Sequence, residues 1–228
     1  MKIEIFSDIA CPWCYIGEVR FERALAAFPG RAAVEVVYRP YQLDPSAPEQ
    51  AVPLKENLAR KFGAGRDSAL QRVSDAAEGE GLVFDWDRAL AVNTRTAHRL
   101  MRLARTEYSA NVQHSLLHRL FEGYFTQGAD VASHEQLTGM AVQAGMDATR
   151  VREYLASDDG NDELSEELEY ARQLGITAVP TFVFNGQYAV QGGQPASVFL
   201  QALEEVQRRT TAEPTADAGA CGDDGCEL

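Results

Sequence analysis

The chain has 228 residues, with 34 acidic against 21 basic side chains and a formal net charge of −13. That balance argues against a nucleic-acid partner, whose affinity would rest on a basic surface. No run of 18 or more apolar residues occurs, so no membrane-spanning helix is expected. With 45% hydrophobic residues the composition is that of an ordinary globular protein, long enough to bury a substantial core without covalent staples.

Residues 2–9 (KIEIFSDI) alternate, with Ile3, Ile5 and Ser7 on one side and Glu4 and Phe6 on the other, and predict a short strand. From Pro12 the spacing of Ile16, Val19, Phe21, Ala24, Leu25 and Phe28 predicts a helix that stops at Pro29-Gly30. Residues 33–43 (AVEVVYRPYQL) are β-branched and aromatic and predict a second strand. A β-α-β unit of this kind favours a parallel pair with a right-handed crossover.

Helical spacing then dominates. The expected helices are Leu54–Phe62, Arg66–Glu80, Arg88–Glu107, Ala110–Thr126, His134–Ala144 and Asp147–Leu174. Their candidate inward faces include Ala97, Leu100, Met101 and Ala104, and then Leu116, Leu120 and Tyr124. A strand is expected at Ala178–Phe184, followed by a hairpin turn at Asn185-Gly186 and a return strand at Tyr188–Gln191. A last helix at Pro195–Arg208 offers Val198, Leu203 and Val206 as inward residues. The layout is α/β: a small sheet domain from residues 1–50 and 175–209, a helical insertion at 51–174, and a tail at 210–228. That tail holds five acids, no base and little apolar surface, so it is expected to be mobile.

All four cysteines fall in two close pairs, Cys11/Cys14 and Cys221/Cys226. The start of the chain, MKIEIFSDIACPWC, has no apolar signal-peptide core, which predicts a cytoplasmic, reducing location. There, close cysteine pairs are more often catalytic or metal-binding than structural.

Cys11-Pro12-Trp13-Cys14 stands where the first strand gives way to the first helix. The free N–H groups and dipole of a helix start favour a thiolate on the leading cysteine. Pro12 suits the first helical position because its missing N–H would have had no partner. Cys11 is therefore the expected nucleophile and Cys14 the resolving thiol, acting through a mixed disulfide. Half of a zinc site looks the same, so a zinc- or client-binding module without turnover is the alternative. Val179-Pro180 opens the late strand, where proline cannot donate to the ladder. Either a cis Val-Pro bond that leaves neighbouring backbone free for a substrate strand, or a trans proline on an edge strand, would account for it.

Four segments together resemble the DsbA family of the thioredoxin superfamily, in its FrnE-like branch: FSDIACPWCYIG (6–17), NTRTAHRL (93–100), LFEGYFTQGADV (120–131) and GITAVPTFVFNGQYAVQGGQP (175–195). The resemblance spans residues 1–205. It implies a thioredoxin-like domain with an all-helical insertion, thiol–disulfide oxidoreductase activity, and a cis-proline at Pro180 facing Cys11 and Cys14. Pro12, Trp13 and Val179 would then position the substrate. Trp13 stands where strongly oxidising members carry a histidine, and an indole supplies no cation to hold a thiolate, so the resemblance does not extend to strong oxidants. Related glutathione-dependent 2-hydroxychromene-2-carboxylate isomerases share a segment like that of Asn93 and Arg95, which makes these two candidate groove residues. Isomerase activity is the alternative enzyme reading, although those isomerases have serine in place of the leading cysteine.

Some FrnE-like proteins carry a C-x4-C near the end of the chain, matched here by Cys221 and Cys226. Twelve residues separate Arg209 from Cys221, an r.m.s. reach of about 17–21 Å for a flexible chain. The tail pair is thus expected to exchange with Cys11/Cys14 as a redox relay; a dispensable tail and a four-thiol zinc site are the alternatives. No cofactor and no metal are otherwise expected. His98, His114, His118 and His134 share no metal spacing, and His114/His118, at i and i+4, lack a third ligand in the sequence. The expected partners are protein or small-molecule thiols and disulfides, with no nucleic acid and no membrane.

Overall fold

The fold is given by a computed structural model that describes residues 1–62 and 66–212. Four strands form the main sheet: β1 (Lys2–Ser7), β2 (Glu35–Pro40), β5 (Thr181–Phe184) and β6 (Tyr188–Gln191), in the order β2-β1-β5-β6. β1 runs parallel to β2, with Lys2 opposite Glu35, and antiparallel to β5, with Phe6 opposite Thr181. It therefore has a neighbour on each edge. Helices α1 (Pro12–Ala27) and α9 (Ala196–Ala212) pack together on one side of the sheet. On the other side, Tyr170 of α8 (Asn161–Gln173) meets Phe6 at a ring separation of 6.2 Å. With both faces covered, Ile3 to Ser7 are all buried, on both sides of the strand. The buried Glu4 is held by Arg39, whose Nε and Nη2 both lie 2.7 Å from Glu4 Oε1.

The remaining helices are α2 (Leu54–Phe62), α3 (Arg66–Glu78), α4 (Arg95–Leu103), α5 (Ala110–Glu122), α6 (His134–Gln143) and α7 (Ala148–Ala156). Both α4 and α5 widen into a π-helical turn, at Ala104–Tyr108 and Gly123–Gln127. The expected inward faces of both helices are buried. Asn185 and Gly186 take positive φ at the β5–β6 turn, as the Asn-Gly signal predicts.

Three expectations need correction. Arg88–Glu107 is not one helix, because Leu90–Ala91 forms β4, paired antiparallel with β3 (Val52–Pro53). Asp85 accepts from the backbone N–H groups of Asp87 and Arg88, and Asn93 Oδ1 accepts from Arg95 N–H, so local side chains hold that stretch out of the helix. Asp147–Leu174 is two helices. Between them Gly160 has φ +77°, and the buried Arg99 donates to the carbonyls of Tyr154, Ser157 and Asp159. On α9, Val198 is exposed; Phe199 is the fully buried neighbour, with Leu203 and Val206 inward as expected.

Candidate active site

Cys11 is the N-cap of α1, in extended conformation, and Pro12 fills the first helical position. The Cys11 N–H donates to Asp8 O at 3.0 Å, closing a tight turn out of β1, and Cys14 N–H donates back to Cys11 O at 3.0 Å. Both thiols are free and buried, and they lie within hydrogen-bond reach of each other. Burial pushes the Cys14 thiol well above the usual range; the hydrogen bond with Cys11 adds to this, and bonds from the Ser7 hydroxyl and the Asp8 backbone oppose it. Trp13, between them, is exposed.

Across from the pair, the Val179–Pro180 peptide is cis, and the Cys11 thiol donates to the Val179 carbonyl at 3.6 Å. Two glycines allow this approach. A Cβ on Gly17 would stand 3.0 Å from Cγ of Pro180 and 3.2 Å from Cα of Gly193, and a Cβ on Gly193 would stand 3.1 Å from the Trp13 carbonyl. Arg20 locks the same corner, donating to Gly193 O at 2.6 Å and to Glu80 at 2.7 Å.

Beneath the pair, the Asp8 carboxylate is buried. It accepts from Leu43 N–H at 2.8 Å and lies 3.2 Å from His98 Nε2, so it ties the end of β1 to α4. Nothing in the spacing of Asp8 or His98 along the sequence marks this pairing. Asn93 bonds to Gln42 and to the Pro45 carbonyl, and Arg95 reaches Asn161 O and Ser165 on α8. These two candidate groove residues thus bond to a loop and a helix rather than to the thiols. Cys221 and Cys226 lie outside the described residues.

A thiol pair at a helix start, facing a cis X-Pro bond beside a mixed sheet, defines the thioredoxin-like class of thiol–disulfide oxidoreductases. Within that class, the chain belongs to the DSBA-like thioredoxin domain family, which it matches over residues 2–204, and it is an oxidoreductase of the DsbA type. It is 40% identical to a probable DsbA oxidoreductase from Streptomyces coelicolor, with 100% of this chain and 99% of that one covered at a TM-score of 0.86. The uncharacterized protein YwbO of Bacillus subtilis is 26% identical over 92% of this chain and 98% of its own length. A 2-hydroxychromene-2-carboxylate isomerase shares the fold at a TM-score of 0.69 and 15% identity, covering 92% of this chain and 98% of that one. Among the described residues, no helix is long and apolar enough to cross a membrane.

Proposed function

We propose that the chain exchanges thiols and disulfides through Cys11 and Cys14. The thiolate of Cys11 attacks one sulfur of a substrate disulfide; the S–S bond breaks, and the departing sulfur leaves as a thiolate that takes up a proton. Cys14 then gives up its proton and attacks Cys11 in the mixed disulfide, which releases the second substrate thiol. The substrate has gained two electrons and the protein holds a Cys11–Cys14 disulfide; the reverse sequence oxidises a dithiol. The observation that carries this reading is Cys11 within bonding distance of the Val179 carbonyl, with Cys14 buried behind it. The neutral state favoured by burial suits Cys14 to wait as a thiol until a mixed disulfide forms beside it.

Pro12, Trp13, Val179 and Pro180 position the substrate in this reading: the exposed indole offers an apolar contact, and the backbone beside Pro180 offers a strand partner. Cys221 and Cys226 relay electrons to the pair from the tail. The test is insulin reduction and dithiol oxidation by the full chain, its Cys11→Ser variant and its Cys221→Ser/Cys226→Ser variant. Loss of turnover in Cys11→Ser is expected, and unchanged turnover overturns the exchange reading. An equal rate and reduction potential in the tail variant dismisses the relay alone. Turnover of a hydroxychromene carboxylate with glutathione that survives Cys11→Ser would move the assignment to the isomerase.

A further inference from the structure

Helices α1 and α5 bring together two pairs of side chains spaced one turn apart. Glu18 and Glu22 lie on α1, beginning one turn after Cys14, and His114 and His118 lie on α5. One oxygen of each carboxylate and one nitrogen of each imidazole all fall within 4.8 Å of one another, and this is the group of metal-ligating type found among the described residues. His114 Nε2 bonds to Glu22 Oε1 and lies 3.9 Å from Glu18 Oε1, while His118 Nε2 is 3.0 Å from Glu22 Oε1. Glu18 is buried, and the Tyr38 hydroxyl donates to its Oε1 at 2.5 Å.

We infer that Glu18, Glu22, His114 and His118 form a site for one divalent transition-metal ion of the zinc type. Two imidazole nitrogens and two carboxylate oxygens make a four-ligand set of the kind zinc accepts, at distances of about 2.0–2.2 Å. In a tetrahedron those ligand atoms stand ~3.4 Å apart, so modest side-chain rotations bring the present cluster to that size. Spacing of i and i+4 on a helix directs both members of a pair to one side, and two rigid helices then fix the site from opposite directions. The two carboxylates offset the ion's charge, and each imidazole ligates through a deprotonated ring nitrogen. Tyr38 is the outer-shell partner that orients a ligating carboxylate. An open cleft lined by Glu18, Glu22, Tyr38, Asn111 and His114 leads to the cluster, so an ion can enter from outside.

The site is independent of the proposed thiol exchange, and its test removes the thiols. In the full chain with Cys11, Cys14, Cys221 and Cys226 all changed to Ser, equilibrium dialysis should give one Zn2+ per chain. Co2+ in its place should give d–d bands from nitrogen and oxygen ligands. His114→Ala and His118→Ala should each weaken Zn2+ binding at least ~100-fold, and Tyr38→Phe should weaken it about 10-fold, as outer-shell changes do. The isosteric Glu22→Gln should match the histidine variants, which guards against a variant that fails to fold. Absence of stoichiometric binding in the thiol-free chain, or affinity unchanged in Glu22→Gln, overturns the site.

Discussion

Gly17 and Pro180 meet closely: a Cβ on Gly17 would lie 3.0 Å from the proline Cγ, tighter than nine in ten real Cβ contacts. This contact sets how closely the helix that begins at Cys11 can lie against the strand that follows Val179. Gly17→Ala improves helix propensity by about 1 kcal/mol, yet it forces a methyl against a ring and a backbone carbon. The clash is expected to win, with a net destabilisation of ~1–2 kcal/mol and slower thiol exchange, read by urea unfolding and insulin reduction. Equal or greater stability would show that the corner has slack.

In the resolving step, Cys14→Ser should let Cys11 attack but leave it unable to release the substrate. Mixed disulfides with client thiols should accumulate and be visible by mass spectrometry without reductant. Cys11→Ser should give none. Equal trapping by both variants would reverse the two roles.

The buried Cys14 thiol also gives the reduced protein a pH signature. Its folded pKa is raised above the unfolded value of about 8.5, so the neutral thiol contributes stability that is complete below that pH. This contribution fades as pH rises toward the folded pKa. Between pH 8 and 9.5 the urea midpoint of reduced wild type should therefore fall more than that of Cys14→Ser. Parallel slopes would count against a raised thiol.

Arg99 joins α4 to the break between α7 and α8 by donating to three carbonyls. Removing a buried guanidinium leaves those acceptors unpaired, so Arg99→Met should cost ~2–4 kcal/mol. Arg99→Lys should recover little, because an ammonium cannot span the fork. Thermal unfolding of the two variants is the check, and a fully rescued lysine variant would refute the fork.

Where chemistry and local geometry coincide, the residues were legible from sequence. Cys11-Pro12-Trp13-Cys14 marks a helix start, Pro180 marks an anomaly in a strand, and Asn185-Gly186 marks a turn. The fold class follows from these and from the long helical run between the two halves of the sheet. Two-residue strands such as β3 and β4 are too short for any periodicity to show, so Leu90–Ala91 read as helix. The break at Gly160 hid inside a polar, helix-favouring stretch because its cause, Arg99, lies about 60 residues earlier. Glu18 and Glu22 carry an i, i+4 signal of their own, as do His114 and His118. Only the packing of α1 against α5, across more than 90 residues, turns two ordinary pairs into one cluster. Asp8 carries no mark in the sequence because an acid at a strand end is ordinarily solvated, and here the loop at Leu43 and His98 cover it.

Strand β1 lies between β2, which follows it closely in the chain, and β5, which begins only at Thr181. During synthesis at about 5–20 residues per second, β1 and α1 leave the ribosome roughly 8–31 s before the strand that completes their sheet. For that interval the Cys11/Cys14 turn has no Val179 carbonyl opposite it, and both thiols face whatever oxidants or chaperones attend the nascent chain. Ribosomes stalled before and after β5 emerges, pulsed with a maleimide, would read this directly. Labelling of the pair should drop only in the second set, and equal labelling in both would mean that α1 shields its cysteines without the late strand.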